Sequence, residues 1–368
     1  MATISPTVTQ DPKTEGRPTT ARAFGVASAD SAVAPISIER RALRPEDVAI
    51  QISHCGICHS DLHMARNDWG MSLYPMVPGH EIVGTVTAVG SAVSKFKVGD
   101  RAAVGCLVDS DLSCAHCQAG HEQFCEGGMV LTYSGIDRQD GSVTYGGYSD
   151  HIVVRQEFVC RLPEALDIAR AAPLLCAGIT TYSPLRRFGV GPGQKVGIAG
   201  LGGLGHMGVK FAAAMGAHVT MITTSPKKGE DARELGAHDV LLSTDEAAMA
   251  SAANRFDFIL NTIPVTHDVG PYLNLLNANG VMVVVGAIDA LPGLHGGALV
   301  MRNRVIAGSL IGGLPETQEM LDFCADHAIL PETETIRPDE INQAWERMEK
   351  GDVRYRFVID MGGLHETA

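Results

Sequence analysis

The stretch "QKVGIAGLGGLGHMGVKFAAAMG", residues 194–216, decides the fold. An apolar run from Val196 to Ala199 ends at Gly200. Gly200, Gly202 and Gly205 then fall in G-x-G-x-x-G register, with Gly203 and Leu204 completing the loop, and an Ala-rich segment of helical character follows. A strand that turns tightly at Gly200, leaves Gly202 bare where a pyrophosphate would approach, and packs its helix closely at Gly205 delivers a dinucleotide to a helix N-terminus. Alone the pattern is weak; here a strand precedes it and a helix follows.

Reading outward from that loop, "KKGEDARELG" (227–236) continues as a helix, while "HVTMITT" (218–224), "DFILNTI" (257–263) and "VMVVVGA" (281–287) are strands. Apolar strands alternating with helices predict an α/β, doubly wound parallel sheet covered on both faces. Upstream, from Ala23 to about Val159, the text changes to short β-branched runs broken by glycine, as in "EIVGTVTAVGSAVSKFKVGDRAAV" (81–104). That rhythm predicts a β-rich barrel or sandwich. Beyond the sheet, 316–329 and 338–351 read as helices, and "RYRFVID" (354–360) as a last strand that returns to the β-rich half.

A chain of 368 residues exceeds what one core usually reaches, so two domains are expected. With 42 acidic against 29 basic residues, the net charge of -13 would repel phosphate backbones, which argues against nucleic acid as a partner. No apolar run approaches the roughly 18 residues a bilayer requires. Residues 1–20, rich in Thr and Pro, lack the pattern of a secretory or transit leader and read as a flexible tail. Six of the nine cysteines lie between Cys55 and Cys125 in short-spaced groups, which suits metal ligation in a reducing, cytoplasmic setting better than a disulfide framework.

The choice of dinucleotide rests on "MITTSPKKGED" (221–231). An NAD site normally places Asp or Glu at the end of this strand to hold the ribose hydroxyls. Here Thr223 stands in that place, and Ser225, Lys227 and Lys228 follow. Hydroxyl donors and cations suit a 2′-phosphate that a carboxylate would repel, so NADP(H) is expected.

Three further segments carry metal-ligand chemistry. "CGICHSDLH" (55–63), "PGHE" (78–81) and "PLLCAGIT" (173–180) supply Cys58, His80, Glu81 and Cys176. Two thiolates and an imidazole make a three-ligand zinc set that leaves a fourth position open, which is the design of a catalytic site. "DLSCAHCQAGHEQFC" (111–125) places Cys114, Cys117 and Cys125 at the spacing of a structural zinc site with one ligand missing. Ser60 and His63 have the spacing for a hydroxyl-to-imidazole proton relay beside Cys58. Cys55 reads as a buried thiol; Cys106, Cys160 and Cys324 read as core or incidental residues.

With these motifs in order, joined by "YPMVPGHEIVG", "FKVGDR", "GGYS", "TQEMLDFC" and "VRYRFVID", the chain resembles the zinc-dependent medium-chain alcohol dehydrogenases from about Phe24 to Met361. The nearest branch is the cinnamyl alcohol dehydrogenase-like, NADP-dependent aldehyde reductases. The resemblance implies a GroES-like catalytic domain made of 21–173 and 313–368 and carrying both zinc sites, with a Rossmann NADP-binding domain at 174–312 between them. It implies that Cys58, His80 and Cys176 hold the catalytic zinc, that Glu81 lies behind it as an exchangeable ligand, and that Asp61 orients His80. It extends the relay from Ser60 and His63 to Asp68, and places Trp69, Leu107, Thr132 and Tyr133 along the substrate cleft. Zinc would act as a Lewis acid while hydride passes between substrate carbon and nicotinamide C4.

The family's structural lobe has four cysteines, and the position of its first is occupied here by Asp111. A carboxylate at about 2.0–2.2 Å can replace a thiolate at about 2.3 Å, so Asp111, Cys114, Cys117 and Cys125 are the expected set. Cys106, His116, His121 or an empty corner remain the alternatives. The expected activity is oxidoreduction of small aromatic or medium aliphatic alcohols and aldehydes, with two zinc ions per chain. The alternatives are a non-catalytic NADPH-binding protein and a zinc-free quinone or enone reductase on the same fold. The apolar segment around 279–312 resembles the family's dimer edge, so a homodimer is expected first and a homotetramer second.

Overall fold

The computed structural model describes residues 16–286 and 290–364. Most of the segment read as a flexible tail, residues 1–15, lies outside the described residues, and the first strand, Thr19–Gly25, already begins within the remainder. That strand pairs antiparallel with Ala34–Arg40.

Residues 194–216 form the strand Lys195–Ala199 and the helix Gly205–Ala214. Four of the strand's five residues are buried, as expected for a strand covered on both faces. It lies at the centre of a six-stranded sheet in the order Asp239–Leu242, His218–Thr223, Lys195–Ala199, Phe256–Asn261, Leu276–Val284, Val305–Gly308. Every neighbouring pair runs parallel. This is the doubly wound order, and the crevice where strand order reverses lies beyond the carboxyl end of Lys195–Ala199, at Gly200.

The second sheet has seven strands, with Asp47–Gly56 and Ile82–Val89 at its centre. The late strand Arg356–Asp360 pairs antiparallel with Asp47–Gly56, so the chain's C-terminal part returns to its N-terminal half. One hydrophobic cluster joins residues from both halves, including Val83, Ala103 and Leu175 on one side and Ile198, Met207 and Leu260 on the other. The two sheets are thus fixed to each other by shared burial. No helix of the described residues is long and apolar enough to cross a membrane.

Candidate active site and metal centres

The cleft is built from the helix His59–Ala65 and the segments that face it. Cys58 is the N-cap of this helix, and Asp61, at its third position, accepts the Cys58 backbone N–H at 2.9 Å, so the carboxylate that starts the helix also faces the site. Asp61 is fully buried and takes the His80 Nδ1–H at 3.1 Å, which fixes the tautomer and leaves Nε2 as a lone-pair donor. Cys176 enters from the start of the helix Ala177–Arg187, with its sulfur 4.0 Å from that of Cys58.

Cys58, His80, Glu81 and Cys176 each bring one ligand atom within 4.8 Å of the others. The interaction between the two thiols holds Cys58 well below the usual thiol range, whereas hydrogen bonding from Cys106 and Cys58 together with burial pushes Cys176 up. Burial pushes the Glu81 carboxyl up to about 7 even though Arg356 opposes the shift. Glu81 Oε2 is buried with no hydrogen-bond partner among the described residues. Two soft sulfurs, an oriented imidazole and a buried orphan carboxylate oxygen fit a zinc ion.

The second cluster also forms. Asp111, Cys114, Cys117 and Cys125 bring one ligand atom each within 4.8 Å of one another. Asp111 Oδ1 accepts the N–H groups of Ser113 and Cys114, both at 2.9 Å, and these backbone bonds hold its carboxyl well below the usual range. A carboxylate kept ionised beside three sulfurs fits a cation in the lobe. His116 and His121 turn instead onto the ring of Phe124, with centroids 6.2 and 6.3 Å away. Cys106 does not fold back to this lobe. It lies beside Cys176, which corrects its reading as an incidental thiol: two residues 70 positions apart are brought together by the packing of Gly105 on Leu175. The lobe is anchored on the helix Leu314–Asp326, where Glu122 accepts the Leu314 N–H at 2.9 Å and Gly313 lies directly against the Gly120 carbonyl.

At the dinucleotide loop, Gly200 has φ +92°, a conformation that favours glycine, and a Cβ on Gly205 would collide with the Gly200 carbonyl. A Cβ on Gly202 would meet nothing within 4 Å, so the loop faces open space there. These features fit a pyrophosphate against the ten-residue helix Gly205–Ala214. Thr223 is buried at the end of its strand and its hydroxyl accepts the Ser225 N–H at 3.3 Å. Ser225 caps the helix Pro226–Glu234, accepting the Lys228 N–H at 3.4 Å, which leaves its own O–H free to donate. Lys227 and Lys228 are exposed and make no ion pair among the described residues. Two hydroxyls and two unpaired cations fit a 2′-phosphate.

Of the relay residues, His63 Nδ1 meets Asp68 Oδ2 at 2.8 Å, and both are half-exposed. Ser60 Oγ accepts from the Cys58 thiol at 3.6 Å, but no hydrogen bond joins Ser60 to His63 among the described residues. The Trp69 ring packs 5.4 Å from His63, at the rim of the cleft. Leu107 lines a small apolar cavity with Cys106, Leu175, Ile179 and Ile311. Thr132 is buried and spends its hydroxyl on the Gly105 carbonyl at 2.5 Å, and Tyr133 places its hydroxyl 3.2 Å from His80 Nδ1, behind the imidazole.

Sequence reasoning missed Arg356. Its guanidinium is buried, pairs with Glu81, and lies where a Cβ on Gly203 would be 2.8 Å from Nη1, so it stands between the metal cluster and the dinucleotide loop. His206 was also missed: fully buried, it donates from Nδ1 to the Gly202 carbonyl at 3.1 Å and stacks on Tyr355 at 5.0 Å. Both belong to segments quoted above for their pattern alone; partners up to 275 positions apart have no local signal.

The chain matches the family model described as alcohol dehydrogenase GroES-like domain over residues 44–164, and that described as zinc-binding dehydrogenase over 203–326. It is 52% identical to NADP-dependent alcohol dehydrogenase C 1 of Mycolicibacterium smegmatis, covering 94% of this chain and 99% of the relative. It is 51% identical to the aldehyde reductase YahK of Escherichia coli, covering 92% and 97%. Among solved structures, a cinnamyl alcohol dehydrogenase of Sorghum bicolor superposes with a TM-score of 0.91 at 46% identity, covering 94% and 98%.

Proposed function

Since the chain belongs to the zinc-dependent medium-chain alcohol dehydrogenase family, a family of alcohol and aldehyde oxidoreductases, we propose that it reduces aldehydes with NADPH at the Cys58, His80 and Cys176 centre. The observation that carries this reading is the convergence of those three ligands with Glu81 in the cleft beside the dinucleotide loop. When bound, zinc supplies Lewis acidity and the nicotinamide supplies or receives hydride.

The chain's own residues do the rest. Asp61 holds the His80 imidazole in one orientation. Arg356 balances the buried charge of Glu81 and offers a cation beside Gly203, toward the pyrophosphate. The half-exposed His63 and Asp68 pair carries the alcohol proton between Ser60 and solvent, with a hydroxyl or water closing the gap from Ser60 to His63. The Trp69 ring beside His63 and the buried side chain of Leu107 supply apolar surface that favours substrates with aromatic or medium aliphatic tails. Thr223, Ser225, Lys227 and Lys228 select NADP(H).

NADPH oxidation with benzaldehyde or cinnamaldehyde is expected to exceed NADH oxidation by at least about tenfold in kcat/KM, since charged hydrogen bonds to a 2′-phosphate contribute on the order of 1.5–3 kcal/mol. Equal rates with the two nucleotides would reject the assigned 2′-phosphate site.

We also assign a structural zinc to Asp111, Cys114, Cys117 and Cys125. Metal analysis of wild-type protein is then expected to find about two zinc ions per chain, and of Asp111→Ala about one, because the three remaining sulfurs leave an incomplete tetrahedron. Equal zinc in both proteins would remove Asp111 from the ligand set. The edge strand Val305–Gly308 and its exposed neighbours Val300, Met301 and Leu310 favour a homodimer joined along that edge. Free cysteines throughout suit the reducing cytoplasm.

A further inference from the structure

The carboxylate of Asp61 is fully buried, with no Lys or Arg against it among the described residues. Its charge is therefore balanced by hydrogen bonds. Oδ1 accepts the Gly79 N–H at 3.0 Å and the His80 Nδ1–H at 3.1 Å; Oδ2 accepts the Cys58 N–H at 2.9 Å and the Tyr148 O–H at 3.1 Å. A carboxylate has about four acceptor positions, and all are used. Two of the donors are backbone groups and the third is the metal-facing imidazole. The remaining one, the Tyr148 phenol, is a side chain that touches neither the ligands nor the dinucleotide loop by hydrogen bond.

Tyr148 is itself fully buried. Its ring lies against Gly79, where an added Cβ would be 2.7 Å from Cδ1, and the indole of Trp345 faces its hydroxyl. The phenol has no alternative orientation without disturbing these neighbours. At the same ring nitrogen, the Tyr133 hydroxyl lies 3.2 Å from His80 Nδ1, almost as near as Asp61 Oδ1. The hydroxyl also reaches Asp61 itself, so it is placed to slip between carboxylate and imidazole. The single Nδ1–H thus has two acceptors within reach, one charged and one neutral, and the choice between them sets how strongly His80 donates through Nε2.

We propose that Tyr148 is a positioning residue for the catalytic metal: by pinning Asp61 Oδ2, it keeps Oδ1 on His80 Nδ1 and prevents the neutral Tyr133 hydroxyl from taking that place. This rests on the reading of Cys58, His80 and Cys176 as metal ligands. Loss of the pin lets the carboxylate turn, gives part of the Nδ1–H to Tyr133, and makes His80 a weaker ligand. Phenylalanine retains the ring and its packing and removes only the pin.

The test uses metal-replete full-length protein. The rate of zinc release to excess chelator is measured, with the phase absent in Cys58→Ala assigned to this centre, and the visible spectrum of the cobalt-substituted protein is recorded alongside. Tyr148→Phe is expected to release that zinc about tenfold faster, the lower end of what disrupted ligand-orienting partners cost, and to shift the cobalt bands. Adding Tyr133→Phe removes the competing acceptor and is expected to restore both the rate and the spectrum toward wild type. A residue needed only for packing would give additive losses in the double variant. Unchanged release and spectrum in Tyr148→Phe, or a double variant worse than the single one, would overturn the proposal. Cobalt–thiolate bands in wild-type protein that are the same in Cys58→Ala would overturn the metal reading beneath it, an outcome distinct from the other two.

Discussion

Replacing Cys58 with alanine is expected to lower kcat/KM for aldehyde reduction by at least about 10³-fold, while NADPH binding persists. Lewis-acid assistance is worth several kcal/mol of barrier, and each 1.36 kcal/mol is about a factor of ten. Cys58 is one of two sulfurs in the cluster, and its backbone N–H, which Asp61 accepts, survives the substitution, so half of the capping box at the start of His59–Ala65 is kept. Turnover, zinc content and NADPH fluorescence titration of the same preparation check this: an active variant with one zinc fewer per chain would exclude metal-assisted chemistry at the site.

The second large effect is expected at Arg356. Alanine in its place strands Glu81, a fully buried carboxylate that already has one oxygen without a partner. Breaking a buried pair by removing one member costs up to about 3–5 kcal/mol, because the remaining carboxyl either stays charged without solvent or counter-ion or must take up a proton. Arg356→Ala should lower the unfolding midpoint markedly and raise the apparent KM for NADPH through its loss beside Gly203. Adding Glu81→Gln removes the stranded charge, so the double variant should recover much of the stability and little of the NADPH affinity. Thermal unfolding and nucleotide titration of the three proteins separate the two effects. Single and double variants of equal stability would show that the pair is not electrostatically coupled.

The α/β half was legible because each of its signals is local: the glycine register, its leading strand and the Ala-rich helix all lie within 194–216, and each later strand is one short apolar run. The β-rich half was legible as a class but not in its pairing. Nothing in 354–360 announces that Arg356–Asp360 lies beside Asp47–Gly56, since strand pairing across three hundred residues depends on the whole packing. Among the site residues, ligand types at short spacings stood out because thiols and imidazoles are rare and their separations characteristic. Tyr148, Arg356 and His206 did not, because a tyrosine in "GGYS", an arginine in a strand and a histidine in the first turn of a helix have no chemical meaning until their partners are known. Cys106 shows the converse: in sequence it lies nearest the lobe of Cys114, yet a short apolar strand, Leu107–Asp109, separates the two and leaves its sulfur beside Cys176.

The Glu122 anchor has a mechanical meaning. The helix it anchors follows on Ile311 and Gly312, which line the small apolar cavity with Leu107, so this wall is tied to the loop that gathers Asp111, Cys114, Cys117 and Cys125. In such a building the lobe is a foundation. With a zinc ion held as assigned, the stiffness of the lobe would be transmitted through Glu122 to that wall.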